Sequence, residues 1–333
     1  MIETARRASG ERVGAADVAA AAQLACLLEA SAPKPGNVSP RRQFDDLRYE
    51  DFLASAAAIG APLAAAGTRP LGETVRLAIE AAARWSRSNA NLGIVLLLAP
   101  IARAAFVTRW SAKPSGERPA TDARLKPSRP IVMNDELRDA VQRVLDATTI
   151  DDAREVYAAI RLAAPGGLGR VADQDVAQEP TVTLADAMRL AADRDTIARE
   201  YATGFELTFG IGVPALARAR GDGLGWNDAV VETFLTLLAA GPDTHIIRRS
   251  GTALALEVTR LAQSTLAAGG VRTTGGREAI ARMDGALAGR RHAANPGTSA
   301  DLTAAAIFVV LLGGGWRSAP ETAAPGGRDA AAR

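Results

Sequence analysis

A chain of 333 residues with 48% hydrophobic content can bury a full core, as one large domain or two smaller ones. Lys and Arg number 39 against 37 Asp and Glu, a net charge of +2, so nucleic acid is not favoured as a partner; a single cysteine, Cys26 among leucines, excludes an internal disulfide and argues against a thiolate metal site. Residues 1–13 mix Glu and Arg without an apolar run, and the longest apolar stretches, Leu92 to Val107 and Leu302 to Leu312, are too short or too interrupted for a bilayer, so no membrane partner and a cytoplasmic location are expected.

Apolar residues recur at helical spacing through most of the chain and no strand ladder is legible. The expected class is all-α: one compact domain of about ten to twelve helices over 14–316, with a nucleotide cleft lined by helix termini. Disorder is expected at 1–13 and in the tail 317–333, and a mobile loop at 111–130, where prolines and basic residues lack periodicity. Helices are predicted at about 14–32, 50–66, 70–86, 91–109, 134–147, 151–163, 183–217, 226–240, 244–267, 275–289 and 299–312.

Candidate chemistry sits where breakers meet these helices, because exposed helix starts carry free N–H groups that bind anions. The first helix stops at Pro33-Lys34-Pro35-Gly36-Asn37, two prolines holding Lys34 in an extended segment that suits either a phosphate or plain solvation. Glu29, one turn earlier, is a surface residue or a carboxylate facing the turn, able to hold a metal ion or accept a proton. Asp45, Asp46 and Asp51 crowd the next helix start, more acids than capping needs, and Asp46 is the chosen metal ligand. Asn89 and Asn91 open the most apolar helix; one suffices as a cap and the other can offer its amide to a base or ribose hydroxyl.

The segment Pro165 to Asp175 is glycine-rich but has neither a P-loop lysine nor a preceding strand; with Arg170 it is consistent with a loop closing over phosphates. Pro242-Asp243-Thr244-His245 runs into Arg248 and Arg249, where Asp243 reads as a helix cap or a metal ligand, Thr244 and the arginines as polyphosphate binders, and His245 as a structural or a proton-transferring ring. After Asn295-Pro296-Gly297, Thr298 and Asp301 have the spacing of a capping box. The helix beyond is almost wholly apolar and hence buried, which would put Asp301 at a cleft floor as metal ligand or base, with Asn295, Thr298 and Ser299 beside it as binding groups.

Pro33-Lys34-Pro35-Gly36, Asp46 six before Phe52, the Asn91-Leu92-Gly93-Ile94 start, Asp243-Thr244 with Arg248, and Pro296 to Leu302 together resemble the triphosphoribosyl-dephospho-CoA synthase family, over about residues 18–312. The resemblance implies an all-helical enzyme that takes ATP and 3′-dephospho-CoA, releases adenine and joins the triphosphoribosyl group to the dephospho-CoA ribose. The chemistry of that transfer asks for a counter-ion, a base and an acid, and the expected assignments are Mg²⁺ at Asp46, Asp243 or Asp301, Glu29 or Asp301 as base and His245 as proton donor. The chain departs from the family where Asn89-Ala90-Asn91-Leu92-Gly93 lacks a histidine and a lysine, and where Phe44 replaces a histidine. Its glycine-rich segment looks like a divergent branch of archaea and methylotrophs. These departures leave open a different hydroxyl acceptor in methanopterin-type cofactor biosynthesis, and a non-catalytic nucleotide-binding regulatory protein; phosphoryl transfer is a third use of the same residues.

Overall fold

The structure, a computed structural model, describes residues 13–44, 47–86, 91–107 and 132–316. The expected termini, the loop at 111–130, Asp45, Asp46 and Asn89 all lie outside the described residues. Regular structure is helical, with only two isolated bridges, Ser39 to Arg42 and Phe44 to Leu47, and no strand among the described residues. The all-α expectation is met.

In chain order the helices are α1 (Ala15–Ser31), α2 (Tyr49–Ala58), α3 (Gly60–Ala64), α4 (Leu71–Ala83), α5 (Leu92–Val107), α6 (Val132–Asp146), α7 (Ile150–Ala163), α8 (Leu184–Ala191), α9 (Thr196–Thr203), α10 (Val213–Gly221), α11 (Trp226–Ala240), α12 (Thr244–Ser250), α13 (Thr252–Ala267), α14 (Thr274–Ala288) and α15 (Gly297–Leu312). They outnumber the ten to twelve expected because three predicted helices are each divided. The predicted helix 183–217 breaks where Asp195 caps a new start by accepting from Ile197 and Ala198 N–H, and breaks again at Gly204, whose φ of 62° is left-handed. Gly251, at φ 88°, separates α12 from α13, and Gln23 draws off the Ala57 carbonyl where α2 gives way to α3. Apolar periodicity runs on through all four breaks, which is why pattern alone joined the pieces.

Two helices without a polar face form the centre. α15 buries Leu302, Ile307, Phe308 and Val309 and packs on α1, α5, α10 and α11, while α5 buries Ile94 to Ile101 without interruption. At about 1.5–3 kcal/mol for each large side chain removed from water, this pair holds the framework to which the site is attached. Pro100 interrupts α5 and cannot donate to the Leu96 carbonyl four residues back; the buried Tyr201 hydroxyl of α9 donates to it instead, at 2.6 Å. That bond ties α9, and so Asp195, to the central helix.

Candidate functional site

One cavity of about 250 Å³ opens where α5, α9, α12 and α15 all begin. Its polar end is lined by Glu29, Asn37, Asp195, His245, Arg248 and Asp301, with Asn295 and Thr298 between them. Tyr157, Ile160, Leu168, Val176, Leu184 and Met188 add apolar lining, with Gln174, Asp175 and Arg194 among them. The glycine-rich segment forms one wall through Pro165, Leu168, Gly169 and Val171.

Short hydroxyl and carboxylate links hold the helix starts in register. Thr244 Oγ1 accepts from Thr196 N–H at 3.1 Å and lies 3.2 Å from Thr298 Oγ1, which accepts from His245 N–H at 3.1 Å. Asp243 joins α12 to α15: Oδ1 accepts from His245 and Ile246 N–H, and Oδ2 accepts from Ser299 N–H and Oγ–H at 2.7 and 2.8 Å. At 3% exposure and with four donors on two oxygens, Asp243 has no lone pair directed at the cavity. The expected capping box at Thr298 and Asp301 does not form. The helix starts two residues earlier than expected, at Gly297, so Thr298 lies within its first turn and reaches across to α12.

The carboxyl pair comes next. Glu29, 3% exposed, faces the cavity from the last turn of α1 and pairs with Lys34 Nζ at 2.9 Å. The same ammonium donates to the Glu29 and Ala32 carbonyls, so Lys34 folds back to cap the negative end of α1. Lys34 is therefore behind the wall, at 2% exposure, and not at the phosphate position the two prolines suggested. The turn that brings it back needs Gly36, where φ is 79° and an added Cβ would meet Leu287 at 2.9 Å.

Asp301 stands in the second turn of α15 against the first turn of α5; a Cβ on Gly93 would lie 2.0 Å from its Oδ2. Among the described residues it accepts no hydrogen bond. Burial pushes its carboxyl well above the ordinary carboxylate range, with the charges of Glu29 and Asp243 adding to the effect and Arg248 opposing it. Asp301 thus holds its proton more tightly than an ordinary carboxyl, beside an ion-paired Glu29.

His245 donates from Nδ1 to the Asn295 carbonyl at 2.9 Å, since a carbonyl only accepts; its Nε2 therefore carries no hydrogen in the neutral ring. Burial depresses its pKa, Asp243 opposing, so at neutral pH the ring is uncharged and offers an acceptor in place of the expected proton donor. Arg248 is drawn to Asp195 Oδ2 at 2.8 Å with its Nε buried and unpartnered, so Asp195 both caps α9 and aims a guanidinium.

Of the residues singled out in the sequence, Glu29, Asn37, His245, Arg248, Asn295, Thr298 and Asp301 all line this one cavity. Thr244 and Ser299 are buried bracing behind it, and Asn91, 3% exposed, lies just before the α5 start without lining the cavity. Arg170 is exposed beside two lining residues, and Arg249 lies outside, over Gly166. Asp195 was missed; its signal, an Asp-Thr pair repeating Asp243-Thr244, was hidden inside the long predicted helix. Of the three expected metal ligands, Asp46 is outside the described residues and Asp243 is saturated, and no cluster of three or more ligating side chains exists among the described residues.

Fold and site define an all-α protein with a cavity where several helices begin, lined by carboxyl groups, an imidazole and a guanidinium. The family model described as ATP:dephospho-CoA triphosphoribosyl transferase matches residues 15–319. The chain belongs to that family. A Pseudomonas putida protein named as a probable 2-(5″-triphosphoribosyl)-3′-dephosphocoenzyme-A synthase is 36% identical over 117 residues, 35% of this chain and 41% of that one. A Klebsiella pneumoniae protein named as the same synthase is 32% identical over 118 residues, again 35% and 41%. The match thus spans about two fifths of these relatives' length. An Archaeoglobus fulgidus protein whose crystal structure carries the provisional name triphosphoribosyl-dephospho-CoA synthase superposes with a TM-score of 0.57 at 28% identity, covering 80% of this chain and 100% of that one. No described helix is long and apolar enough to cross a membrane.

Proposed function

We propose that this chain transfers the 5-triphosphoribosyl group of ATP to a ribose hydroxyl of 3′-dephospho-CoA and releases adenine. The observation that carries this reading is the Glu29–Asp301 pair: two carboxyl groups in one cavity, one ion-paired by Lys34 and one whose hold on its proton is raised by desolvation. Pairs of titratable groups pushed apart in this way divide acid and base roles.

The reaction breaks the bond between ribose C1′ and adenine N9 and forms one between C1′ and the acceptor oxygen. As the first bond stretches, C1′ gains oxocarbenium character and the base gains an electron pair. Asp301 gives its proton to the departing adenine, and Glu29 takes the proton of the attacking hydroxyl. One proton has then crossed between the two residues, and its return from Glu29 to Asp301 resets the site. Arg248 supplies the positive charge for the triphosphate, and the apolar side chains among the lining residues suit the pantetheine arm of the acceptor. Any Mg²⁺ enters as the counter-ion of the ATP substrate, and no step here depends on it.

Incubation with ATP, Mg²⁺ and 3′-dephospho-CoA, followed by chromatography and mass spectrometry, should yield free adenine and a coenzyme heavier by the triphosphoribosyl group, and Asp301→Asn should abolish both. ADP or AMP in place of adenine would move the chemistry to phosphorus and refute the reading.

A further inference from the structure

Asn37 and Asn295 meet at the polar end of the cavity from turns 258 residues apart, Asn37 Nδ2 donating to Asn295 Oδ1. Both are more than nine-tenths buried, at 5% and 8% exposure. Asn37 Oδ1 has no hydrogen-bond partner among the described residues, and no bond from Asn295 Nδ2 exists among them either. A buried amide oxygen left without a partner costs about 1–3 kcal/mol, so its place on a cavity wall calls for a donor from a ligand.

What the pair can bind follows from counting. Two primary amides joined by one hydrogen bond leave one acceptor on the first and one donor on the second. Turning both amides over exchanges the labels and preserves the pattern, so the conclusion does not depend on which atom is called O or N. The backbone fixes the second amide in place, because the Asn295 carbonyl accepts from His245 Nδ1 and from Gly297 N–H. The first lies in the turn anchored by Gly36 N–H on Asp284. An acceptor beside a donor complements a group that shows an amine beside a bare ring nitrogen. Adenine has this edge at N6 and N7, the edge an asparagine amide reads in a duplex.

The geometry points to the Asn37–Asn295 pair as the reader of the adenine edge of the nucleotide, one amide oxygen accepting from the N6 amine and the neighbouring N–H donating to N7. This rests on the nucleotide reading of the cavity and goes beyond it, by making these two residues determinants of base specificity. The N7 contact also places a donor on the base while it gains electron density during departure, so it strengthens toward the transition state.

Calorimetric titration of the full chain with ATP, 7-deaza-ATP and 1-deaza-ATP, each with Mg²⁺, tests it. Wild type should bind 7-deaza-ATP about 3- to 10-fold more weakly than ATP, the effect of one hydrogen bond, and 1-deaza-ATP as well as ATP. Asn295→Ala and Asn37→Ala should each bind ATP and 7-deaza-ATP alike; Asn295→Ser replaces either one that melts early. Equal binding of ATP and 7-deaza-ATP by wild type overturns the inference without any variant. A loss confined to 1-deaza-ATP, or discrimination that persists in a folded variant, also overturns it. If ATP binds and only the discrimination is absent, the nucleotide reading stands; if no nucleotide binds, both fall.

Discussion

Gly93→Ala adds a single methyl and should separate catalysis from stability. Gly93 is the second residue of α5, and a Cβ there would lie 2.0 Å from Asp301 Oδ2 and 2.6 Å from Cγ. To reach the ordinary contact distance of 3.4 Å, the carboxyl must retreat by about 1.4 Å. Rotation of the short Asp301 side chain can supply this, since the cavity is open on its other side. The cost of crowding, about 1–3 kcal/mol, is partly offset by the roughly 1 kcal/mol by which Ala exceeds Gly as a helix former. The melting temperature should therefore move by no more than a few degrees. An acid displaced by more than about 1 Å from the departing base should cost on the order of 100-fold in kcat. Continuous adenine release gives kcat, and calorimetry gives the ATP affinity, which should change little. Adding Gly93→Ala to Asp301→Asn should change nothing further, because the acid it displaces is already gone. A Gly93→Ala protein that turns over within about 3-fold of wild type, correctly folded, would refute the placement of Asp301 at the reacting centre.

Three further outcomes follow from the buried charges. Asp301 holds its proton more tightly in the folded chain than in the unfolded one, where the ordinary value is 3.8, so wild-type stability falls as pH rises from that value through the raised one. Asp301→Asn removes this loss, and its gain in melting temperature should grow between pH 5 and pH 8; a gain independent of pH would contradict the assignment. Lys34→Met strands Glu29 and should cost about 3–5 kcal/mol by denaturant titration, with Glu29→Gln added to it restoring part of the loss. Equal stability of Lys34→Met and wild type would show that the pair is not held. Asp243→Ala removes the acceptor of four hydrogen bonds at the α12 and α15 starts and should cost about 2–4 kcal/mol; a variant as stable as wild type would dismiss the clamp.

The helical class was legible because apolar spacing in segments such as α4, α6 and α7 is set by burial on one side, and burial there is local to the segment. Helix breaks were legible only where proline or a polar cluster announced them. Gly204 and Gly251 read as tolerated glycines, and only the left-handed φ that each adopts marks a boundary. The turns at Lys34, Asp243 and Asn295 pointed to a common site because breakers beside polar groups are rare in so apolar a chain.

Roles within the site were less visible. Lys34 looked like a phosphate ligand because nothing in Pro33-Lys34-Pro35 tells that its ammonium returns to the α1 carbonyls. Asp243 and Asp301 look alike as carboxylates at helix starts, yet one is saturated by donors and the other meets none; the difference lies in Ser299 and Gly93, distant in sequence from Asp243 and Asp301 respectively or facing the wrong helix in a one-dimensional reading. Asp195 acquired meaning only when α9 was seen to begin at it and Arg248 to lie against it.

ATP carrying tritium in the adenine ring and ³²P at the γ position, consumed in the presence of 3′-dephospho-CoA, tests the central claim most directly. The account predicts that tritium is released as free adenine while ³²P is found on the coenzyme. Recovery of both labels in ATP, or of tritium in ADP or AMP, would contradict it.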